Sequence, residues 1–162
     1  TLLGLATGIF YPEQGKVFTH SNKIGYVSAN PMILNSSLRE NINYGNTDLV
    51  DDAVITNYIK EFEVFKENKE IDLEKLINNK SLSMGQMQKI SFIRALVSGI
   101  HILVLDESTS NLDTDSKDLI YRILNKAELT IINSTHTPEG FFNFDHHIEI
   151  KEGNNGREII IQ

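Results

Sequence analysis

The sequence contains no cysteine, no apolar run long enough to cross a bilayer and no excess of basic residues. The absence of cysteine excludes disulfides, thiol catalysis and cysteine-based metal sites, and it is compatible with a reducing compartment. A membrane-spanning helix needs roughly 18 consecutive apolar residues, so we expect a soluble domain. Fifteen Lys and Arg against 22 Asp and Glu give a net charge of −7. The basic residues are scattered, which argues against nucleic-acid binding.

The pattern of apolar residues predicts a single α/β domain over residues 1–162. Helices are expected at 1–9, 84–97 and 115–124, with a small helical layer over 49–76. A short strand is expected at 24–27, strands buried on both faces at 102–106 and 129–133, and a terminal hairpin at 148–150 and 158–161. Strands that alternate with helices imply a mostly parallel sheet, whose ligands lie at the carboxyl ends of its strands.

Two acids follow the apolar strand at 102–105, and they are the first candidates for chemistry. Because the strand ends where a parallel sheet meets its ligand, Asp106 can hold Mg²⁺ directly or through water. Glu107 can point at an attacking water as a general base. Ordinary acids at the exposed end of a buried strand are the alternative interpretation.

A serine and a glycine mark the start of the predicted helix at 84–97. Ser83 is a natural N-cap, and with Gly85 it forms a helix amino terminus whose free N–H groups and positive dipole end favour a phosphate. His136 follows the strand at 129–133 and can contact a γ-phosphate or the attacking water. Taken alone, this histidine is more typical of a surface loop.

These motifs together resemble the nucleotide-binding domain of an ATP-binding cassette (ABC) transporter. Residues 82–86 (Leu-Ser-Met-Gly-Gln) resemble the signature motif, 102–107 the Walker B strand, 110–113 the D-loop and 134–136 the switch-histidine loop. Residues 24–42 are similar to the Q-loop region, and the Arg-Glu-Asn-Ile motif at 39–42 is typical of exporters. The resemblance implies a P-loop NTPase (RecA-like) fold. Its α/β core lobe would comprise 1–45 and 100–162, and its helical subdomain 46–99.

The resemblance also implies a role for each matching residue. Glu107 would activate water, His136 would hold the γ-phosphate, and Asp106 would hold Mg²⁺. The signature residues would bind the γ-phosphate of ATP held by a second ABC ATPase domain in a head-to-tail dimer, Asp113 would cross that interface, and Thr1 would follow the Mg²⁺-binding Ser/Thr. The residues implied in nucleotide binding are Thr1, Ser83, Met84, Gly85, Gln86 and Asp113.

Three departures from the family pattern stand out. The Walker A loop and the strand before it are missing, so the chain resembles a domain truncated at its N-terminus, and we expect it to bind ATP very weakly or not at all. Ala29 occupies the usual glutamine position, and its methyl group cannot ligate Mg²⁺; Asn30, the next residue, could substitute only if the loop shifted. Met84 replaces the first signature glycine but keeps the backbone donor.

The resemblance implies that the chain belongs to the ATP-hydrolysing motor of a transporter, and the Arg-Glu-Asn-Ile motif indicates an exporter. The motor would lie at the cytoplasmic face of the membrane, in contact with a transmembrane domain. A soluble ABC ATPase of DNA repair or translation is a weaker alternative, because only 52 residues separate Ala29 from Leu82, too few for a long coiled coil. A degenerate regulatory cassette that completes a partner's ATP site without hydrolysis is the second alternative. Ala29 favours it, and intact Glu107 and His136 argue against it.

Overall fold

The computed structural model describes residues 2–46, 48–65, 70–136, 144–153 and 156–161. The helices are α1 Leu2–Ala6, α2 Leu38–Asn43, α3 Asp52–Glu61, α4 Met84–Val97 and α5 Thr114–Leu124. The strands are β1 Ile24–Ser28, β2 Ser36–Ser37, β3 Leu76–Ile77, β4 Ile102–Asp106, β5 Thr130–Ser134, β6 Ile148–Gly153 and β7 Gly156–Ile161. Within these residues no helix has the length and apolar character that a membrane crossing requires.

A parallel sheet of three strands in the order β1-β4-β5 forms the centre of the described fold. The central strand β4 is apolar until its last residue, and its three inner residues are buried, as expected for a strand covered on both faces. The expectation of a second fully buried strand at 129–133 is wrong. In β5, Thr130 and Ile132 are exposed, so the face of the strand on which both lie is uncovered in the described part of the chain.

Helix α4 connects the sheet to the helical layer. It begins after the Ser83 cap, as predicted, and it packs against α2, α3 and β1. Its buried residues lie on several sides of the helix, and they include Phe92, Ile90 and Ile93 at no measurable exposure. A helix that is buried on several sides needs partners on each of them, and here the sheet and the helical layer supply them.

The helical layer is shorter than the sequence pattern predicted. Of the stretch 49–76, only α3 is helical in the described part, and residues 70–75 form turns and loop. The bend after α3 contains Glu63 at a φ of 48°, a left-handed conformation that no helix accommodates. The layer gains instead a short helix, α2, whose Ser37 and Glu40 form a reciprocal capping box.

The two ends of the chain add a helix and a hairpin. Helix α1 ends at Ala6 rather than at residue 9, because Gly8 adopts a φ of 76° and turns the chain away. The predicted hairpin is confirmed as β6 and β7, paired antiparallel from Ile148 opposite Ile161 to Gly153 opposite Gly156. Thr1 lies outside the described residues, so the structure says nothing of its predicted role.

Candidate functional site

The carboxyl ends of the three parallel strands meet at one edge of the sheet. In the last rung of the ladder Asp106 of β4 lies between Ser28 of β1 and Ser134 of β5. This is the edge at which open parallel sheets bind their ligands. The register therefore places Asp106 and the residue after it where the sequence predicted them.

Asp106 is half-buried and is held by a tyrosine from the neighbouring strand. The hydroxyl of Tyr26 donates a hydrogen bond to Asp106 Oδ2 at 2.6 Å. Burial and the bond to the carboxylate raise the pKa of Tyr26 to about 12. Tyr26 consequently keeps its proton, and remains a donor, throughout the neutral range.

Glu107 has an unusual backbone and a histidine partner. Its φ is 51°, a left-handed conformation that is uncommon outside glycine and often found at functional sites. Its N–H donates to the Ser134 carbonyl at 3.0 Å, which ties the turn to the end of β5. Glu107 Oε1 lies 3.0 Å from His136 Nε2, and the two side chains are 45% and 87% exposed. The structure thus brings the predicted base and the predicted histidine together at the solvent-facing edge of the sheet.

The amino terminus of α4 is open to solvent. Ser83 Oγ accepts from the Gln86 N–H at 3.2 Å, and Gln86 Oε1 accepts from the Ser83 N–H at 2.9 Å, which completes a capping box. Gln86 therefore turns back onto the helix. Met84, the first residue of the helix, is 43% exposed, so its side chain is not buried in the core.

A cleft of about 610 Å³ opens at this helix end. Ser83, Gly85, Gln86 and Asp113 all line it, whereas Asp106, Glu107 and His136 do not. Asp113 caps α5 by accepting the Ser116 N–H at 2.8 Å. The predicted residues thus fall into two groups, one at the carboxyl edge of the sheet and one in the α4 cleft.

The loop after β1 is attached to both neighbouring elements. Asn111 Nδ2 donates to the Ala29 carbonyl at 3.0 Å, and the buried Gln88 of α4 donates through Nε2 to the Ser28 carbonyl at 2.9 Å. Ala29 offers no side-chain ligand, and its carbonyl already accepts a bond.

A second cavity of about 340 Å³ lies beside this loop, lined by the partly exposed Met32 and Tyr44 and by Arg94. Arg94 donates through Nε to the Asn41 carbonyl at 2.7 Å and through Nη1 to the Met32 carbonyl at 3.0 Å. Burial lowers the pKa of Arg94, and the nearby Tyr44 partly offsets this shift. Arg94 thereby joins α4 to α2 and to the loop that carries Ala29.

Sequence reasoning missed several of these residues. Tyr26, Gln88, Asn111 and Arg94 each make a contact with a residue at least 53 positions away. No local pattern signals such a contact, because it depends on which strands pair and in which register. The predicted strand at 24–27, helix at 84–97 and D-loop at 110–113 contain these residues, but those predictions did not indicate their contacts.

A parallel sheet with two acids at the end of its central strand, flanked by a serine-capped helix, has the organisation of a P-loop NTPase. A family model described as ABC transporter matches residues 1–110 of the 162. The chain therefore belongs to the ABC transporter family, and the predicted family is confirmed.

The chain is similar to parts of several transport proteins. The chain is 30% identical over 126 residues to the sublancin-168-processing and transport ATP-binding protein SunT of Bacillus subtilis, which covers 76% of this chain and 18% of the relative. It is 41% identical over 123 residues to multidrug resistance protein 1 of Plasmodium falciparum (71% and 9%). It is 32% identical over 143 residues to the ATP-dependent lipid A-core flippase of Alcanivorax borkumensis (78% and 25%). The chain thus spans a quarter or less of each of these relatives.

Proposed function

We propose that this chain is part of the ATP-binding and ATP-hydrolysing motor of an ABC transporter of the exporter type, which drives transport through ATP-dependent dimerisation, and that these 162 residues alone, which contain no Walker A loop, are inactive. The observation that carries the proposal is the 3.0 Å contact between Glu107 and His136 beside Asp106. A general base needs a carboxylate that is oriented and accessible to water, and Glu107 meets both requirements. Relatives named as a flippase and as a multidrug resistance protein support the exporter assignment.

The proposed reaction is hydrolysis of ATP between its β- and γ-phosphates. The Glu107 carboxylate takes a proton from water, the water oxygen bonds to the γ-phosphorus, and the bond from that phosphorus to the β–γ bridging oxygen breaks. ADP and phosphate are the products. With a proton on Nε2, His136 donates to Glu107 and fixes its orientation, and its exposed ring can contact the γ-phosphate.

The residues at the sheet edge fit a Mg²⁺ ion that arrives with its nucleotide. Mg²⁺ is commonly bound by one or two carboxylates, water and substrate phosphates rather than by an all-protein cage. Among the residues that the structure describes, no cluster of three metal-ligating side chains occurs, and Asp106 supplies one carboxylate. When bound, Mg²⁺ would neutralise charge on the β- and γ-phosphates. Asp106 would hold it directly or through water, and Ala29 would contribute no side chain.

The α4 cleft is proposed to bind the γ-phosphate of ATP held by a second ABC ATPase domain. Ser83 and Gly85 offer the exposed amino terminus of a helix of 14 residues, whose dipole and free N–H groups favour an anion. Met84 and Gln86 flank the contact, and Asp113 reaches across the interface. This cleft and the sheet edge are separate surfaces of the chain, which favours a head-to-tail dimer. In such a dimer, each ATP site combines the sheet edge of one copy with the α4 cleft of the other.

The transmembrane domain of the transporter, in the same chain or in another subunit, is the second proposed partner. Its short cytoplasmic helix would enter the groove between the Ala29 loop and the helical layer. The 340 Å³ cavity there exposes Met32 and Tyr44, apolar surface suited to such a helix. The proposal places the chain at the cytoplasmic face of the membrane. Thr1 keeps its proposed place after the Mg²⁺-binding Ser/Thr.

The proposal is tested with Glu107→Gln in the full-length gene product that contains this chain. Loss of a general base lowers turnover by about 10²- to 10⁴-fold. We expect this loss together with accumulation of an ATP-bound dimer, detected by size-exclusion chromatography with radiolabelled ATP. Unchanged turnover would exclude Glu107 as the base.

Glu128→Gln is the matched control. Glu128 is also an exposed glutamate, but it lies before β5, at the opposite end of that strand from His136. We expect wild-type turnover in this variant. If instead the wild-type protein dimerises with ATP but hydrolyses none of it, the degenerate regulatory cassette is the correct interpretation.

A further inference from the structure

Asp106 is the proposed Mg²⁺ ligand, and a carboxylate on a flexible torsion needs a partner to fix its orientation. Tyr26 provides one. It lies two residues before Ser28, the rung partner of Asp106, so that Tyr26 and Asp106 are diagonal neighbours on the same face of the sheet. Diagonal positions on paired strands lie within reach of an aromatic side chain. The hydroxyl spans this diagonal and reaches Oδ2 at 2.6 Å.

A hydrogen bond to one carboxylate oxygen gives the two oxygens different roles. Oδ2 of Asp106 accepts the Tyr26 proton, and Oδ1 remains to accept from a metal-bound water or to bind a metal. A bond of this length to a charged acceptor is of the strong, charge-assisted kind. Its donor residue lies in the middle of β1, whose five residues all pair with β4, so the ladder fixes the backbone position of the donor.

We propose that Tyr26 is a positioning residue for nucleotide-bound Mg²⁺: its hydroxyl fixes the Asp106 carboxylate so that Oδ1 serves the metal. This inference rests on the proposed function, because it requires Asp106 to act on Mg²⁺. It adds a residue from the neighbouring strand to the site. Groups that orient metal ligands typically change metal affinity by about 10- to 100-fold when removed.

The test is Tyr26→Phe, which removes one oxygen and keeps the ring. Tyr121→Phe is the control, because it also removes a hydroxyl that is hydrogen-bonded to a side chain, here that of Thr109 at 2.9 Å, three residues after Asp106, rather than the Asp106 carboxylate. Both changes are made in the full-length gene product that also carries Glu107→Gln, so that ATP stays intact. Mn²⁺ replaces Mg²⁺ and is titrated in the presence of ATP, with binding followed by electron paramagnetic resonance.

We expect Tyr26→Phe to weaken Mn²⁺ binding by about 10- to 100-fold, with Tyr121→Phe at the parental value. In the background with Glu107 intact, Tyr26→Phe should raise the Mg²⁺ concentration for half-maximal turnover by a similar factor, and saturating Mg²⁺ should largely restore kcat. A lower melting temperature with unchanged Mn²⁺ affinity would show a purely structural role and overturn the inference.

The two proposals fail in different ways. If the parental protein binds Mn²⁺ with ATP and Tyr26→Phe binds it equally well, the role of Tyr26 is wrong while the proposed function stands. If the parental protein shows no Mn²⁺ binding that depends on ATP, or if Asp106→Asn leaves that binding unchanged, the assignment of Asp106 to the metal fails and the role of Tyr26 fails with it.

Discussion

Gly85 offers the clearest separation between folding and the proposed binding of phosphate. It lies in the first turn of α4, in the cleft that Ser83 and Asp113 also line. A Cβ added there would lie 3.6 Å from Leu112 Cδ2 and 4.0 Å from Ser83 Oγ, which are ordinary contact distances. The chain itself therefore has room for a methyl group at this position.

The expected effect of Gly85→Ala on stability is small and favourable. Alanine in place of glycine in a helix stabilises it by about 0.5–1 kcal/mol. At about 2–4 °C per kcal/mol for a domain of this size, we expect the melting temperature of the chain to rise by a few degrees or to stay unchanged. The same methyl group would stand between the α4 amino terminus and a phosphate of the partner. ATP-dependent dimerisation of the full-length gene product should therefore fall by at least about tenfold, as for the loss of 1.4 kcal/mol.

Gly25→Ala serves as the comparison for the stability measurement. Its Cβ would lie 2.8 Å from Ile100 Cδ1 and 3.3 Å from both Ala95 Cβ and Ile100 Cγ2, so the Ile100 side chain must move within the core. Overpacking of this kind costs about 1–3 kcal/mol, and thermal unfolding followed by circular dichroism should show the drop. If Gly85→Ala destabilises the chain as Gly25→Ala does, the steric reasoning is wrong. If Gly85→Ala folds well and ATP-dependent dimerisation is unchanged, the α4 cleft does not bind the phosphate.

Three further outcomes follow from the contacts. Arg94→Lys should lower the free energy of unfolding by about 1.5–3 kcal/mol in denaturant titration, because one ammonium cannot replace the bonds to the Asn41 and Met32 carbonyls. A loss under about 0.5 kcal/mol, the usual size of the effect of a surface substitution, would contradict this. His136→Ala should leave stability within about 0.5 kcal/mol, since the side chain is 87% exposed, yet lower ATP turnover by about 100-fold or more, and equal turnover would refute its role. Folding raises the pKa of Tyr26 to about 12, so that between pH 10 and about 12 the unfolded tyrosine loses its proton before the folded one. The free energy of unfolding should therefore fall more steeply over this range in the wild type than in Tyr26→Phe. Parallel pH profiles of the two proteins would contradict this.

Local signals in the sequence predicted the elements whose ends carry the site. The Ser83 cap and the apolar positions behind it predicted α4, and the apolar run into Asp106 predicted β4 at the bounds observed. Both signals are local, because a cap satisfies the N–H groups of the next turn and a buried strand needs a continuous apolar run. The capping box of Ser37 and Glu40 is an equally local signal of α2, and attention to it would have found that helix.

Features that depend on neighbours could not be predicted in the same way. The apolar composition of β5 indicated a buried strand, but burial is decided by what covers each face of the strand, and Ile132 is exposed. The contact between Tyr26 and Asp106 depends on parallel pairing and on a register that places Ser28 opposite Asp106. A shift of one residue would turn Tyr26 to the other face of the sheet. The sequence thus indicated the ends of single elements, whereas the contacts between elements needed the structure.

The most direct measurement is the structure of the full-length gene product carrying Glu107→Gln, determined with ATP and Mg²⁺. The account predicts a head-to-tail dimer in which each γ-phosphate lies between the edge formed by Asp106 and His136 of one copy and the Ser83 helix end of the other. It also predicts the Tyr26 hydroxyl on Asp106 Oδ2. A nucleotide bound away from the carboxyl edge of the sheet, or a Ser83 helix end that faces no phosphate, would contradict it.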